Sequence, residues 1–317
     1  MAKFSEFTFP SSDGVHQICA SLWLPDEGEP KAVVQIVHGV AEYVGRYDAL
    51  ARFLTGHGYA VCGDDHLGHG RTAKADSKFG WFAEHDGWTL IVADEHALRQ
   101  RMGERFPGVP YFLLGHSMGS FMTRTFLCRY PREVSGAVLS GTGQESALAV
   151  GAGKLLAGLI GTFKGSGYSS DFVNGLVLGA YNKQFAPNRT SADWISRDEG
   201  EVDKYIDDPL CQFVPTVGMY HDMFTGLQYI SSSRALSQMD PDTPVYLYSG
   251  DRDPVGGSGA GVRKVWGYFK AHGTRDLTLK LYEGGRHEMH NELNREQVFA
   301  DLLAWLDAHC PKEADHA

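Results

Sequence analysis

The sequence predicts an α/β protein: a mostly parallel sheet with helices on both faces and a helical insertion above one edge of the sheet. Three observations carry this. Short apolar runs of strand type alternate with helical stretches from the N-terminus to Ser140, the spacing of parallel strands joined by crossover helices. The alternation stops near Gly141, gives way to an irregular, Gly-rich, helix-like stretch, and resumes at Val245. Finally, Gly115-His116-Ser117-Met118-Gly119 lies between the apolar run 109–114 and the helical stretch 120–127. A serine there falls on a sharp strand-to-helix turn, with its hydroxyl beside the first amides of a helix.

Each element has its own justification. Residues 4–9 and 15–24 alternate in polarity around the turn Ser11-Ser12-Asp13-Gly14, which predicts an antiparallel hairpin. Residues 31–37 are a β-branched strand that ends at His38-Gly39. Tyr47, Leu50, Ala51 and Leu54 share one helical face, which Gly56 and Gly58 terminate. Residues 59–62 form a strand that leads into Asp64-Asp65-His66-Leu67-Gly68-His69-Gly70-Arg71, and residues 88–106 a helix closed by Pro107-Gly108. After the serine turn come a strand at 134–139, then strands at 245–249 and 277–282 and a final helix at 295–309. The core is thus expected at 1–143 and 240–317, with 144–239 as a cap. His38, Asp65 and Ser117 all follow strand ends, so they converge on the edge where open sheets carry their sites.

Composition excludes several functions. Hydrophobic content of 43% and charged content of 21% are ordinary for a globular chain. A net charge of −10 leaves no basic stripe for nucleic acid and no electrostatic attraction to an anionic bilayer. The five cysteines are scattered without a Cys-x-x-Cys pair, which predicts neither a disulfide framework nor a zinc site. Residues 1–10 have no apolar segment of signal-peptide length, and no stretch is read as reaching the roughly 18–20 apolar residues of a membrane span. A reduced, cytoplasmic setting is the expectation.

A serine nucleophile needs a base, an acid to orient that base, and donors for the oxyanion. On this architecture the acid and then the histidine follow the serine in the chain. The strand at 245–249 runs into Gly250-Asp251-Arg252-Asp253, and the strand at 277–282 into Glu283-Gly284-Gly285-Arg286-His287. Ser117, Asp253 and His287 are the candidate catalytic residues; Asp251, as a turn cap, and His290, three residues on, are the competing assignments. The candidate oxyanion donors are the backbone N–H groups of Met118, just after the nucleophile, and of Val40, in the loop after the early strand. His38 and Glu42 are read as structural residues of that loop. His66-x-x-His69 and His287-x-x-His290 have the look of metal pairs, but such spacing is common in a chain with 14 histidines. Neither a metal nor a cofactor is expected.

These motifs together resemble the monoacylglycerol lipase and lysophospholipase-like branch of the α/β-hydrolases, in the serine aminopeptidase-type group. The resemblance spans nearly the whole chain: His38-Gly39-Val40-Ala41-Glu42 with Gly45-Arg46-Tyr47, Asp65-His66-Leu67-Gly68-His69-Gly70, the serine elbow, the acid loop and Gly285-Arg286-His287-Glu288-Met289. Residues 189–198 with Asp208-Pro209-Leu210-Cys211 resemble caps of bacterial members. Ala41 departs from the Gly of eukaryotic relatives. The resemblance implies an eight-stranded α/β-hydrolase sheet under a helical cap, and a cofactor-free serine esterase that cleaves single-chain acylglycerols through an acyl-enzyme. Esterase or thioesterase action on short acyl groups, and a non-catalytic ligand-binding relative, remain as alternatives. The expected partner is a small acyl ester, with at most transient membrane or micelle contact through the cap; the oligomeric state stays open. The apolar stretch 147–163 is either a packed helix or a mobile lip for acyl chains. Phe172, Leu176, Val177, Phe213, Val214, Met219, Tyr220 and Phe224 are candidate pocket walls.

Overall fold

The β-branched run after Lys31 forms the centre of the protein. In the computed structural model, which describes residues 3–310, β3 (Ala32–Val37) is buried at every position. Its flanks are β4 (Tyr59–Asp65) and β5 (Tyr111–His116), both parallel to it and equally buried. Strands covered on both faces read as continuous apolar runs, which is how these appear in the sequence. The N-terminal hairpin, β1 (Lys3–Pro10) and β2 (Gln17–Leu24), joins antiparallel through β2 to β4. On the other side β6 (Gly136–Ser140), β7 (Val245–Gly250) and β8 (Leu277–Tyr282) continue in parallel. The eight strands run in the order β1-β2-β4-β3-β5-β6-β7-β8, an α/β-hydrolase sheet.

Two helical layers cover this sheet. Helix α1 (Asp48–Thr55) packs with the C-terminal helix on one face. Between β4 and β5 lie α2 (Gly70–Asp76) and α3 (Gly87–Arg105). After β5 comes α4 (Met118–Arg129). The strands alternate between the layers: Leu113 of β5 packs with Met122 and Phe126 of α4, while Phe112 and Leu114 meet Leu302 and Trp305 on the far side. Each such fully buried side chain contributes about 1.5–3 kcal/mol.

The insertion after β6 is helical. It comprises α5 (Ala147–Lys164), α6 (Asp171–Val177), α7 (Glu199–Asp207), α8 (Val217–Ile230) and α9 (Ser233–Leu236). Helix α8 packs against α5 above and against α3 and α4 below, so the insertion is seated on the core through α8. Helices α10 (Ala260–Ala271) and α11 (Arg295–His309) complete the fold.

Three sequence expectations change. Gly70 opens α2, where the glycine masks the helix start, and α10 fills the connection between β7 and β8, where Val262, Val265 and Phe269 share one buried helical face that the sequence reading passed over. Helix α5 is 18 residues long with mean hydropathy 1.3, and is the one described helix long and apolar enough to cross a membrane by length and composition alone. Its leucines, alanines and single isoleucine, valine and phenylalanine raise the mean, while four glycines and two lysines break up any run of large apolar side chains. Only 11% of it is buried.

Candidate active site

The turn from β5 into α4 holds Ser117 in a conformation few side chains adopt, with φ 53° and ψ −121°. Strain of this kind costs about 1–3 kcal/mol and persists only where neighbours overdetermine it. Here they do. Ser117 N–H donates to Ser140 O at 2.9 Å, and Ser120 Oγ donates to Ser117 O at 2.6 Å. Gly119 lets the elbow approach β3: a Cβ there would come within 1.9 Å of Val37 O. The hydroxyl is thereby held at the N-terminus of α4, where the helix dipole favours developing negative charge.

Asp253 and His287 meet beyond the ends of β7 and β8. His287 Nδ1–H donates to Asp253 Oδ1 at 2.9 Å, and both residues are buried. Asp253 also accepts Val255 N–H at 2.9 Å and Ser249 Oγ–H at 2.8 Å, so its carboxylate is fixed on both oxygens. Burial pulls the His287 imidazole down, but the Asp253 charge and hydrogen bond outweigh it, and its pKa lies above the ordinary value. Asp251 does not reach the histidine; its Oδ1 accepts Gly284 N–H at 2.8 Å, capping the turn. His290 stacks on Tyr47 with ring centroids 4.3 Å apart, and burial pushes it down to about 3. Ser117 and His287 border one small chamber with Gly39, Val40 and Trp194. No hydrogen bond joins the two among the described residues, an arrangement common before substrate binds.

The candidate oxyanion loop is anchored from beneath. Glu42 accepts the N–H of Gly39 and, at 2.9 Å, the hydroxyl of Tyr47. Arg46 bridges Glu42 (3.1 Å) and Glu288 (2.5 and 2.7 Å), all three buried, so the loop after β3 is tied to the loop after β8. Bidentate guanidinium contact lowers the Glu288 carboxyl to about 2 against the opposing effect of burial. Val40 and Met118 both line an apolar cavity that Ser117 borders. Neither backbone N–H is taken by a protein acceptor among the described residues. Ala41 sits at φ 57°, in the left-handed region that favours glycine.

That cavity has a volume of ≈510 Å³, within the roughly 300–1,000 Å³ that holds a single small ligand. Its wall is mostly apolar, with Ser117 at one end and α5 contributing Val150 and Leu156. Of the candidate walls, Leu176, Val177, Tyr220 and Phe224 line it. The others do not. Phe172 is 65% exposed, Met219 is packed into the core, Phe213 lies against Phe79 and His69, and Val214 lies beside Gly80. Helical position alone does not say which side of a cap helix faces inward.

Two features escaped the sequence reading. Trp194 packs its ring 4.9 Å from that of His287, and its carbonyl accepts His287 N–H at 3.4 Å. Ile195 O likewise accepts Glu288 N–H at 2.7 Å, so the cap grips the histidine loop directly. Further, His66 pairs with Asp64 and Glu95 in a buried group whose ligand-type atoms lie within 4.8 Å of one another; the sequence had set it beside His69 alone. Glu95 is separated from His66 by α2 and the first two turns of α3, so no local spacing signals the association.

Comparisons with known proteins agree with this geometry. A family model described as serine aminopeptidase, S33, matches residues 28–294. A monoacylglycerol lipase of Mycolicibacterium smegmatis is 30% identical over 312 residues, covering 96% of this chain and 98% of its own. A human monoglyceride lipase is 29% identical over 313 residues, covering 93% and 88%. The crystal structure of a thermostable carboxyl esterase from Bacillus coagulans, in complex with glycerol, matches with a TM-score of 0.90 at 30% identity, covering 98% of this chain and 99% of that one.

Proposed function

The chain belongs to the serine aminopeptidase S33 family of α/β-hydrolases, and from that premise we propose that Ser117, His287 and Asp253 hydrolyse single-chain acyl esters bound beneath the helical cap. The protein is a serine ester hydrolase of the monoacylglycerol lipase type. The observation that carries the residue assignment is the 2.9 Å contact between His287 and a fully buried Asp253, beside a serine at φ 53° that borders an apolar cavity.

Ser117 Oγ attacks the ester carbonyl while His287 takes its proton. Asp253 holds the imidazole in the required tautomer and stabilises its charged form. The N–H groups of Val40 and Met118 receive the oxyanion, each worth roughly 10²–10³ in turnover. The tetrahedral intermediate collapses, His287 protonates the departing alcohol, and the acyl group remains on Ser117. Water, deprotonated by His287, then releases the carboxylic acid and restores the serine.

The cavity supports a fatty acyl group as the acid half of the substrate. Its apolar wall suits a fatty acyl group, with α5 as the lip that admits it. Leu148, Leu155, Leu159 and Phe163 are exposed along α5, which supports transient contact with a micelle or bilayer surface. The five free cysteines support a reducing, cytoplasmic setting.

Monoacylglycerols, lysophospholipids and short activated esters assayed on the wild type and Ser117→Ala test this reading. A fluorophosphonate probe on the same proteins reports the nucleophile. Adduct formation on Ser117 with turnover of long-chain monoacylglycerol is expected. Activity restricted to the shortest esters sinks the lipase assignment, and absence of both adduct and turnover identifies a binding protein.

A further inference from the structure

We propose that Asp64, His66 and Glu95 form a positioning device for the oxyanion hole, acting through His38 on the Gly39–Val40 peptide. The inference rests on the reading of Val40 as an oxyanion donor, and takes it one layer deeper.

All three residues are buried, at 0–1% exposure. His66 Nδ1 lies 3.1 Å from Asp64 Oδ1 and 3.0 Å from Glu95 Oε1, while Nε2 lies 3.2 Å from the carbonyl oxygen of His38. The Asp64 carboxylate faces Nδ1 and the His38 carbonyl faces Nε2; both accept, so both nitrogens carry protons and the ring is an imidazolium. Asp64 Oδ2 and Glu95 Oε1 have no aligned N–H or O–H partner. A proton on Glu95 Oε1, directed to Asp64 Oδ2, satisfies both, because Glu95 Oε2 already accepts the Gln35 side-chain amide. One imidazolium, one carboxylate and one neutral carboxyl then leave the cluster uncharged. Burial, reinforced by Asp64, pushes the Glu95 carboxyl up to about 8; burial opposes a charged His66, but Asp64 and Glu95 overcome it.

The remaining neighbours are accounted for. His38 faces His66 from the loop after β3, with rings stacked 3.7 Å apart. His69 faces it edge-on at 5.9 Å. On α3, Asp94 turns away to Ser11 and Ser12, and on β5 the Tyr111 hydroxyl binds Gln35. Two carboxylates and an imidazole at this spacing also suit a metal ion. A metal on Nδ1 would leave only Nε2 for the His38 carbonyl, and the test below separates the two cases.

The output of the cluster is the backbone of the loop. The main-chain N–H of His66 donates to His38 Nε2 at 3.2 Å, which fixes His38 with its proton on Nδ1, while the His66 ring holds the His38 carbonyl and so sets where that residue sits. His38 Nδ1–H then donates to Gly39 O at 2.7 Å. The Gly39–Val40 peptide is trans and planar, so holding its carbonyl fixes the direction of the opposite Val40 N–H. The preceding peptide is clamped at both ends: His66 holds His38 O and Glu42 holds Gly39 N–H. Two buried groups thus grip one loop from opposite sides, and only His38, held in place by His66, reaches the peptide that carries the Val40 donor.

The test compares wild type with His66→Leu, His66→Gln and Glu95→Gln. His66→Leu is expected to lower kcat about 10²-fold, the cost of one oxyanion donor, with KM nearly unchanged. Its affinity for a trifluoromethyl ketone, which needs the oxyanion hole, should fall in parallel, while affinity for a non-hydrolysable alkylglycerol ether should not. His66→Gln, which restores a side-chain N–H toward His38 O, should recover about tenfold of the loss, and Glu95→Gln, which takes away one of the two acceptors that Glu95 presents to His66 and Gln35, should fall between wild type and His66→Leu. A folded His66→Leu with wild-type kcat overturns the proposal, as does equal loss of ketone and ether affinity. Nitrogen NMR of the wild type should show both His66 ring nitrogens protonated at neutral pH. A neutral His66, or a stoichiometric divalent metal in the purified protein, overturns the proposal even where His66→Leu does not fold. A wild type that takes no fluorophosphonate on Ser117 defeats the hydrolase reading itself, whereas a labelled wild type with an unaffected His66→Leu defeats only the positioning role.

Discussion

Asp253 carries its carboxylate to His287 Nδ1 across an interval of 34 residues, with its second oxygen held by Ser249. That charge keeps the His287 pKa above its ordinary value. His287 must be neutral to accept a proton, so kcat/KM of the wild type should rise through that elevated pKa as pH increases. Asp253→Asn removes the charge. The acid limb should then move to lower pH while the plateau falls by about 10⁴-fold; an unchanged limb in the pH–rate profile would show that another carboxylate orients the base. Ala41 offers a second residue-scale test. A left-handed φ of 57° costs an alanine about 1–2 kcal/mol, and glycine recovers part of this after its greater unfolded-state entropy is subtracted. Ala41→Gly should therefore raise stability by up to about 1 kcal/mol and leave kcat intact, as read by urea denaturation and ester assay. At this scale the serine motif was legible because strand, turn and helix are contiguous. The choice between Asp253 and Asp251 was decided by the loop after β7, which directs one carboxylate to the imidazole and the other to Gly284 N–H.

At the scale of elements, α5 is the helix through which the proposed acyl pocket would set chain length. It lines the cavity with Val150 and Leu156 on one side and exposes Leu155 and Leu159 on the other. Its glycines and alanines keep the inner face thin. Leu156→Trp should fill the cavity from that face. Activity on long-chain monoacylglycerols should drop at least about tenfold, while hydrolysis of short esters stays within about twofold, since an acyl pocket discriminates by a few methylenes at about 0.8 kcal/mol each. Equal loss across a chain-length series would place the acyl group elsewhere. Half of the candidate wall residues lie off the cavity for different reasons: Phe172 is exposed on α6, Phe213 and Val214 fall in the irregular stretch before α8, and α8 itself has two apolar contacts to choose from, cavity and core. Met219 lies on the same helix as Tyr220 but faces inward to the core.

The whole molecule is held together at the site by contacts between segments far apart in the chain. Arg46 and Glu288 are separated by 242 positions, and their bidentate pair ties the loop after β3 to the loop after β8. Removing one partner of a buried pair leaves an uncompensated charge at a cost of about 3–5 kcal/mol. Glu288→Gln should lower stability by about that amount at neutral pH. The sign with pH follows from the depressed folded pKa of about 2, against an ordinary glutamate value of 4.5. The contribution is complete above the ordinary value and is lost as pH falls toward 2, so the gap between wild type and Glu288→Gln in urea midpoint should close on acidification across that window. A gap independent of pH would assign the effect to packing alone.

The sequence by itself determined the succession of strands, the serine turn and the segment that interrupts the sheet, because these depend on apolar periodicity and on glycines within a few residues of one another. It also narrowed the acid and the base to two neighbours each, since both must follow strand ends. Only the tertiary structure decided which neighbour reaches the site, which cap side chains face the cavity, that Trp194 backs His287, and that Glu95 lies against Asp64 and His66. Those contacts join residues tens to hundreds of positions apart. Chain folding brings them together through the packing of whole layers, and no local pattern records which side chains will meet.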